Sequence, residues 1–323
     1  MANILAVAGL VLTVASLLVA HPLANILLGV ALLCILAAGV LRARGALVII
    51  ALVAVAATFL TSSDGFGQFL KDYAGVNPRG FWRGNSELVA LAAAFIIIAL
   101  YMVFARMGAE GWPRYVVDTT RDLDRIVVGV GRVAAWLFVP MMIIIFYDIS
   151  QRKIIEWDND FVTSVFFLDS NKLQELEWHL HATLFLLCLG YAYVKDAHVR
   201  IELVRDRMSN NARVWMELLG VCLFLLTYSF LIVKFGYTFA ERSWKISEVS
   251  SAQTGLTHRW IIKGMMPIGF TFLFMAGLSA AFKCMVYLFG PKELRPEVDE
   301  YAMTHHADLR PIEEEIQPDG STP

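Results

Sequence analysis

The sequence predicts an all-α, multi-span membrane protein, and three observations carry that prediction. The chain of 323 residues is 58% hydrophobic and only 17% charged, with a mean hydropathy of +0.60, whereas soluble domains keep roughly a quarter of their residues charged. The apolar residues fall in continuous blocks at 4–20, 25–41, 46–61, 88–104, 126–147, 180–194, 214–239 and 260–289. Continuous blocks suit helices, which satisfy their own backbone polar groups in lipid; a membrane β-barrel would need short alternating segments instead.

Taken in order, block 4–20 has no Lys or Arg ahead of it, and Ala20-His21-Pro22 is a poor cleavage site, so a retained helix is expected rather than a cleaved signal. Blocks 25–41 and 46–61 are short for a span of roughly 20 residues. Arg42-Ala43-Arg44-Gly45 joins them, read as a tight turn whose glycine ends the second helix. Segment 62–87 mixes glycines with Phe66, Phe69, Tyr73, Phe81 and Trp82, the pattern of a stretch lying at the membrane interface. Block 88–104 completes an N-terminal region, 1–107, of about four spans. Block 180–194 is also short, with Glu177-Trp178-His179 extending it as an interfacial turn, while 214–239 and 260–289 are long enough to tilt. That makes about eight spans.

Lys and Arg set orientation. Alternate loops hold eleven of them on one side (Arg42 to Arg213) and nine on the other (Lys71 to Lys263). The richer side is placed in the cytoplasm, and with an even span count both termini lie there. The tail 290–323 is acidic and interrupted by proline, and is read as a disordered cytoplasmic segment; His305-His306 is a solvated pair within it.

Several chemistries are excluded or disfavoured. No Lys/Arg run has the density that nucleic acid requires. Cys34, Cys188, Cys222 and Cys284 lie singly inside apolar blocks, as buried small residues do. Among ionisable residues inside the later blocks, Arg132, Glu217 and Lys234 are close enough to a surface to snorkel. Pro140 and Pro267-Ile268-Gly269 have no symmetric partner, so they read as helix kinks and not as the broken helices of a substrate site. His179 and His181 point to different sides of a helix and make poor haem ligands. Glu175 and Glu177, in a charge-rich loop, are weak candidates for acid–base work. No catalytic motif and no metal-ligand set is present, so neither an enzyme nor a cofactor bound by this chain is expected.

Four charged and aromatic clusters stand at span boundaries: Leu173-Gln174-Glu175-Leu176-Glu177-Trp178-His179-Leu180; Lys195-Asp196-Ala197-His198-Val199-Arg200-Ile201-Glu202; Ala240-Glu241-Arg242-Ser243-Trp244; and Gly255-Leu256-Thr257-His258-Arg259-Trp260-Ile261-Ile262-Lys263, leading to Pro267. In this order they resemble the small permease subunit of tripartite ATP-independent periplasmic (TRAP) transporters, the DctQ-like family, over roughly 118–289. The resemblance is nearest to the subgroup associated with mannitol, chloroaromatic and keto-acid uptake. Ala197, Thr257 and Ala276 stand where the family commonly has Gly, Pro and Gln. The family needs four spans, so region 1–107 is an extension.

The resemblance implies a four-helix scaffold in the bacterial inner membrane. Its partners would be a large DctM-like permease that carries substrate and sodium, and a periplasmic binding protein. It marks Glu177, Trp178 and His179 as a periplasmic-side anchor, and Lys195, Asp196, His198 and Arg200 as a cytoplasmic-side cluster. Trp244, Trp260, Lys263 and Pro267 complete the set of interface or anchor candidates. Asp196 and Arg200 have ion-pair spacing if helical, although 197–203 also alternates with period two, as an extended segment would. The competing class is a membrane anchor or electron-transfer subunit of an oxidoreductase; a stand-alone carrier is disfavoured by the absence of a polar midplane site.

Overall fold

The computed structural model describes residues 2–17, 21–41, 43–61, 96–97, 99–104, 111–197, 207–252 and 254–299. Among them there is no strand. The helices are α1 (Ala2–Leu17), α2 (His21–Val40), α3 (Gly45–Thr61), α4 (Gly111–Ala135), α5 (Phe138–Trp157), α6 (Ser170–Val194), α7 (Asn210–Gly220), α8 (Thr227–Lys245) and α9 (Trp260–Phe289). Short 3-10 turns occupy Asn159–Thr163 and Lys292–Glu297, and a π-helical segment, Val221–Leu226, joins α7 to α8. Three stretches are long and apolar enough to cross a membrane, Gly111–Trp157, Asn210–Lys245 and Trp260–Phe289, with shorter apolar helices at Ala2–Thr13, Leu28–Val40 and Gly45–Ala56. This is an all-α membrane protein.

The chain divides into two units, Met1–Asp122 and Leu123–Pro323. In the first, Ala6, Ala31, Ile35, Ala38, Val48, Ala51 and Phe104 share one core. Small side chains let α1 and α2 approach closely, as packing in lipid favours: a Cβ on Gly9 would fall 2.5 Å from Ile35 Cγ1. Gly45 opens α3 instead of closing α2, which corrects the turn read from the sequence. The reason is steric, since a Cβ there would overlap Thr119 Oγ1 at 2.0 Å. Tyr101 donates to that hydroxyl at 2.7 Å, and Tyr115 donates to the Ala43 carbonyl at 3.1 Å. These bonds draw the start of α4 into the first unit, which ends at Asp122. Segment 62–87 and most of block 88–104 lie outside the described residues.

In the second unit, the expected single span 126–147 is interrupted at Trp136-Leu137. Pro140 has no N–H to give the Trp136 carbonyl, which accepts from Val139 one residue earlier at 3.1 Å. The helix is interrupted by a local 3-10 turn next to Pro140, where the sequence reading placed a kink. α9 packs along α6 on one side and along α8 on another, and α5 packs on α6. Residues 276–284 of α9 are all buried, which at 3.6 residues per turn means cover on every face. Two glycines bring α6 and α9 to backbone contact: a Cβ on Gly269 would lie 2.5 Å from the Leu186 carbonyl oxygen, and one on Gly190 would lie 2.8 Å from that of Phe272.

α6 and α8 end in the same way. Ala197 and Asp196 N–H groups return to the Ala192 and Tyr193 carbonyls, and Glu248 and Ser247 to Ser243 and Trp244. This is the Schellman closure, with Asp196 (φ 53°) and Ser247 (φ 47°) in the left-handed position that glycine usually fills. The tail is ordered at its start, contrary to expectation: Pro291 and Pro296 frame the 3-10 turn Lys292–Glu297, and Val298 is buried. Residues 300–323 lie outside the described residues.

Candidate functional site

The loops 158–169 and 246–259 meet the bundle at one end, and polar side chains strap both of them down. Gln151 in α5 holds Leu168 from both directions: its Nε2 donates to the Leu168 carbonyl at 2.9 Å and its Oε1 accepts from the Leu168 N–H at 3.3 Å. Asp148 is buried beside it, paired with Arg152 and accepting from the Ser170 hydroxyl. Arg152 Nε also donates to Ser170 Oγ at 3.1 Å, and Tyr147 donates to the Phe166 carbonyl. Asp169 caps α6 by accepting from the Asn171 N–H at 2.9 Å.

The second loop is held from α6. Glu175 accepts from the Ser250 hydroxyl and from the Leu256 N–H. The Ser250 N–H in turn donates to the Leu256 carbonyl at 3.1 Å, closing the loop on itself. Gly255 suits this closure, because a Cβ would sit 2.4 Å from Ser250 Cβ. Asn171 Nδ2 donates to Thr254 Oγ1 at 3.0 Å. The Ser250 hydroxyl, then the Leu256 N–H and nearby His179 and Arg259, hold the Glu175 carboxyl below the usual carboxylate range. Glu248 is lowered chiefly by Lys263, and Asp169 chiefly by Thr254.

The structure brings some of the predicted residues together. Trp244 and Trp260 meet edge to face, with centroids 4.4 Å apart. Lys263 pairs with Glu248 and sits 4.0 Å above the Phe239 ring. Pro267 packs on α8 where Gly236 leaves room. Trp178 stacks on His179, whose Nδ1 faces the Glu175 carbonyl, while Glu177 is half-buried with no strap of its own. The residue that grips the loop is Glu175. Sequence reading placed it in a loop, whereas the cap at Asp169 starts the helix upstream of it; Asp169-Ser170-Asn171 was the signal.

At the opposite end, Lys195 and Asp196 terminate α6, while His198 and Arg200 lie outside the described residues, so the expected Asp196–Arg200 pair falls there too. Lys283, not singled out from the sequence, is 8% exposed and lies 2.8 Å from Asp124. Glu217 accepts from the Tyr193 hydroxyl at 3.1 Å. Among the described residues no group of three or more His, Cys, Asp or Glu side chains could hold a metal. Asp148, Gln151, Arg152, Asn171, Glu175 and Glu248 at the strapped end are engaged within the chain, which suits holding helices and loops at fixed depth.

A family model for the DctQ component of tripartite ATP-independent periplasmic transporters matches residues 141–286. That segment is similar to the DctQ family. It runs from Met141 in α5 to Val286 in α9, so the DctQ segment contains both strapped loops and all of α6 to α8. DctQ is a transporter component. No curated protein and no solved structure gives a significant match to the chain.

Proposed function

We propose that this protein is the small scaffold subunit of a sodium-driven TRAP transporter for organic acids, of the keto-acid, mannitol or chloroaromatic type, in a bacterial inner membrane. The observation that supports this most directly is the DctQ match, laid over a helical bundle whose boundary charges are spent on loop straps. A DctM-like large permease then carries substrate and sodium, and a periplasmic binding protein delivers the substrate. This chain holds the large subunit at fixed depth and tilt, through interfacial Trp and Lys/Arg anchors. The strapped end, with Glu175, Trp178, Trp244 and Trp260, faces the periplasm, and both termini face the cytoplasm.

The test is reconstitution in liposomes with an inward sodium gradient and labelled organic acids. Uptake is expected only when this chain, the large permease and the binding protein are all present. Sodium-dependent uptake by this chain alone would refute the scaffold role. Reporter fusions near Met1 and at Pro323 test the topology, and a periplasmic signal from either refutes it.

A further inference from the structure

A groove of about 380 Å³ runs along the outside of the π-helical segment, from Tyr193 and Glu217 at one end to Ser229 and Leu273 at the other. Glu217 and Ser229 are twelve residues apart along one nearly continuous helix, a distance of roughly 18 Å at 1.5 Å per residue.

The wall between the ends is apolar, with Val221, Phe224 and Leu225 facing the space. Phe224 and Tyr228 are 74% and 59% exposed, so the groove opens sideways toward lipid. Its chemistry is one-sided. Among its described lining residues Glu217 is the carboxylate, and none of them is Lys, Arg or His. It stands within the first turn of the apolar run that begins at Val214, near the depth of lipid headgroups.

We infer that this groove holds one acyl chain of a phospholipid whose primary ammonium headgroup bonds to the Glu217 carboxylate. A primary ammonium brings a positive charge and three N–H donors to an acceptor that already takes one hydrogen bond from Tyr193. A quaternary ammonium has no N–H to give, and a phosphatidylglycerol head brings only negative charge. The assignment needs the chain to span a membrane but is independent of which transporter it serves.

The experiment is native mass spectrometry of the delipidated full-length chain in mild detergent. It is titrated separately with phosphatidylethanolamine, phosphatidylcholine and phosphatidylglycerol carrying the same acyl chains. Wild type is expected to retain one phosphatidylethanolamine at about tenfold lower concentration than phosphatidylglycerol, as one charge-assisted bond would give. Glu217→Gln erases that preference while acyl-chain binding persists. Ser229→Phe, which fills the deep end, abolishes retention of all three lipids, with circular dichroism checking that each variant stays helical. Equal retention of the lipids by wild type, or an unchanged preference in Glu217→Gln, overturns the inference. Release of the lipid when the large permease is co-purified also overturns it, because the groove would then take a protein side chain.

Discussion

Lys283 Nζ lies 2.8 Å from Asp124 Oδ2, with the two side chains 8% and 19% exposed. The pair ties the last helix of the bundle to the first, deep enough that neither charge is well solvated. Removing one partner of such a pair costs far more than replacing both, because the remaining ion stays desolvated. Asp124→Asn is therefore expected to destabilise the purified protein by about 3 kcal/mol. Asp124→Leu combined with Lys283→Met should return close to wild type. Thermal unfolding in detergent checks both, and additive losses in the double variant would contradict the pairing.

Protonation should release the 246–259 loop. Glu175, Glu248 and Asp169 are all held below their ordinary range by bonds present only in the folded loop. A carboxylate lowered in this way stabilises the fold above its unfolded pKa, near 4, and that contribution disappears as acid titrates the folded group. Hydrogen exchange at the Ser250 and Leu256 amides should therefore stay slow from pH 7 down to about pH 5 after correction for intrinsic rates, and quicken below about pH 4. Glu175→Gln should exchange rapidly at the Leu256 amide already at pH 7.

The contact between α6 and α9 rests on hydrogen atoms where other residues carry a side chain. Gly269→Ala puts a methyl 2.5 Å from the Leu186 carbonyl oxygen, and backbone there has nowhere to yield; a loss of about 1–3 kcal/mol is expected. Gly264, one turn and a half away on the same helix, has open space at its Cβ, so Gly264→Ala should stabilise by about 0.5–1 kcal/mol. Opposite signs in thermal shift would confirm the geometry.

The two left-handed helix ends make a further case. Asp196 and Ser247 hold φ of 53° and 47°, a conformation that penalises any Cβ by about 1 kcal/mol. Asp196→Gly and Ser247→Gly are each expected to raise the unfolding midpoint. A fall for Asp196→Gly would mean that its carboxylate contributes more to this turn than its backbone costs.

The fold class, the long apolar spans 214–239 and 260–289 and the helix interruption beside Pro140 are legible in the sequence. Each follows from local physics: lipid demands helices, span length follows bilayer thickness, and proline lacks an N–H. The four boundary clusters stand out in the sequence because charged and aromatic residues gather where apolar runs stop, although 198–202 of the second lies outside the described residues. Which members of those clusters act together depends on contacts between distant parts of the chain. Glu175 and Leu256 are far apart in sequence, and nothing local says that one carboxylate will close a loop eighty residues on. The same holds for Lys283 and Asp124, which pair although they stand far apart in the sequence. Gly45 changed its role from ending one helix to opening the next for a related reason: what a glycine makes room for belongs to another part of the chain.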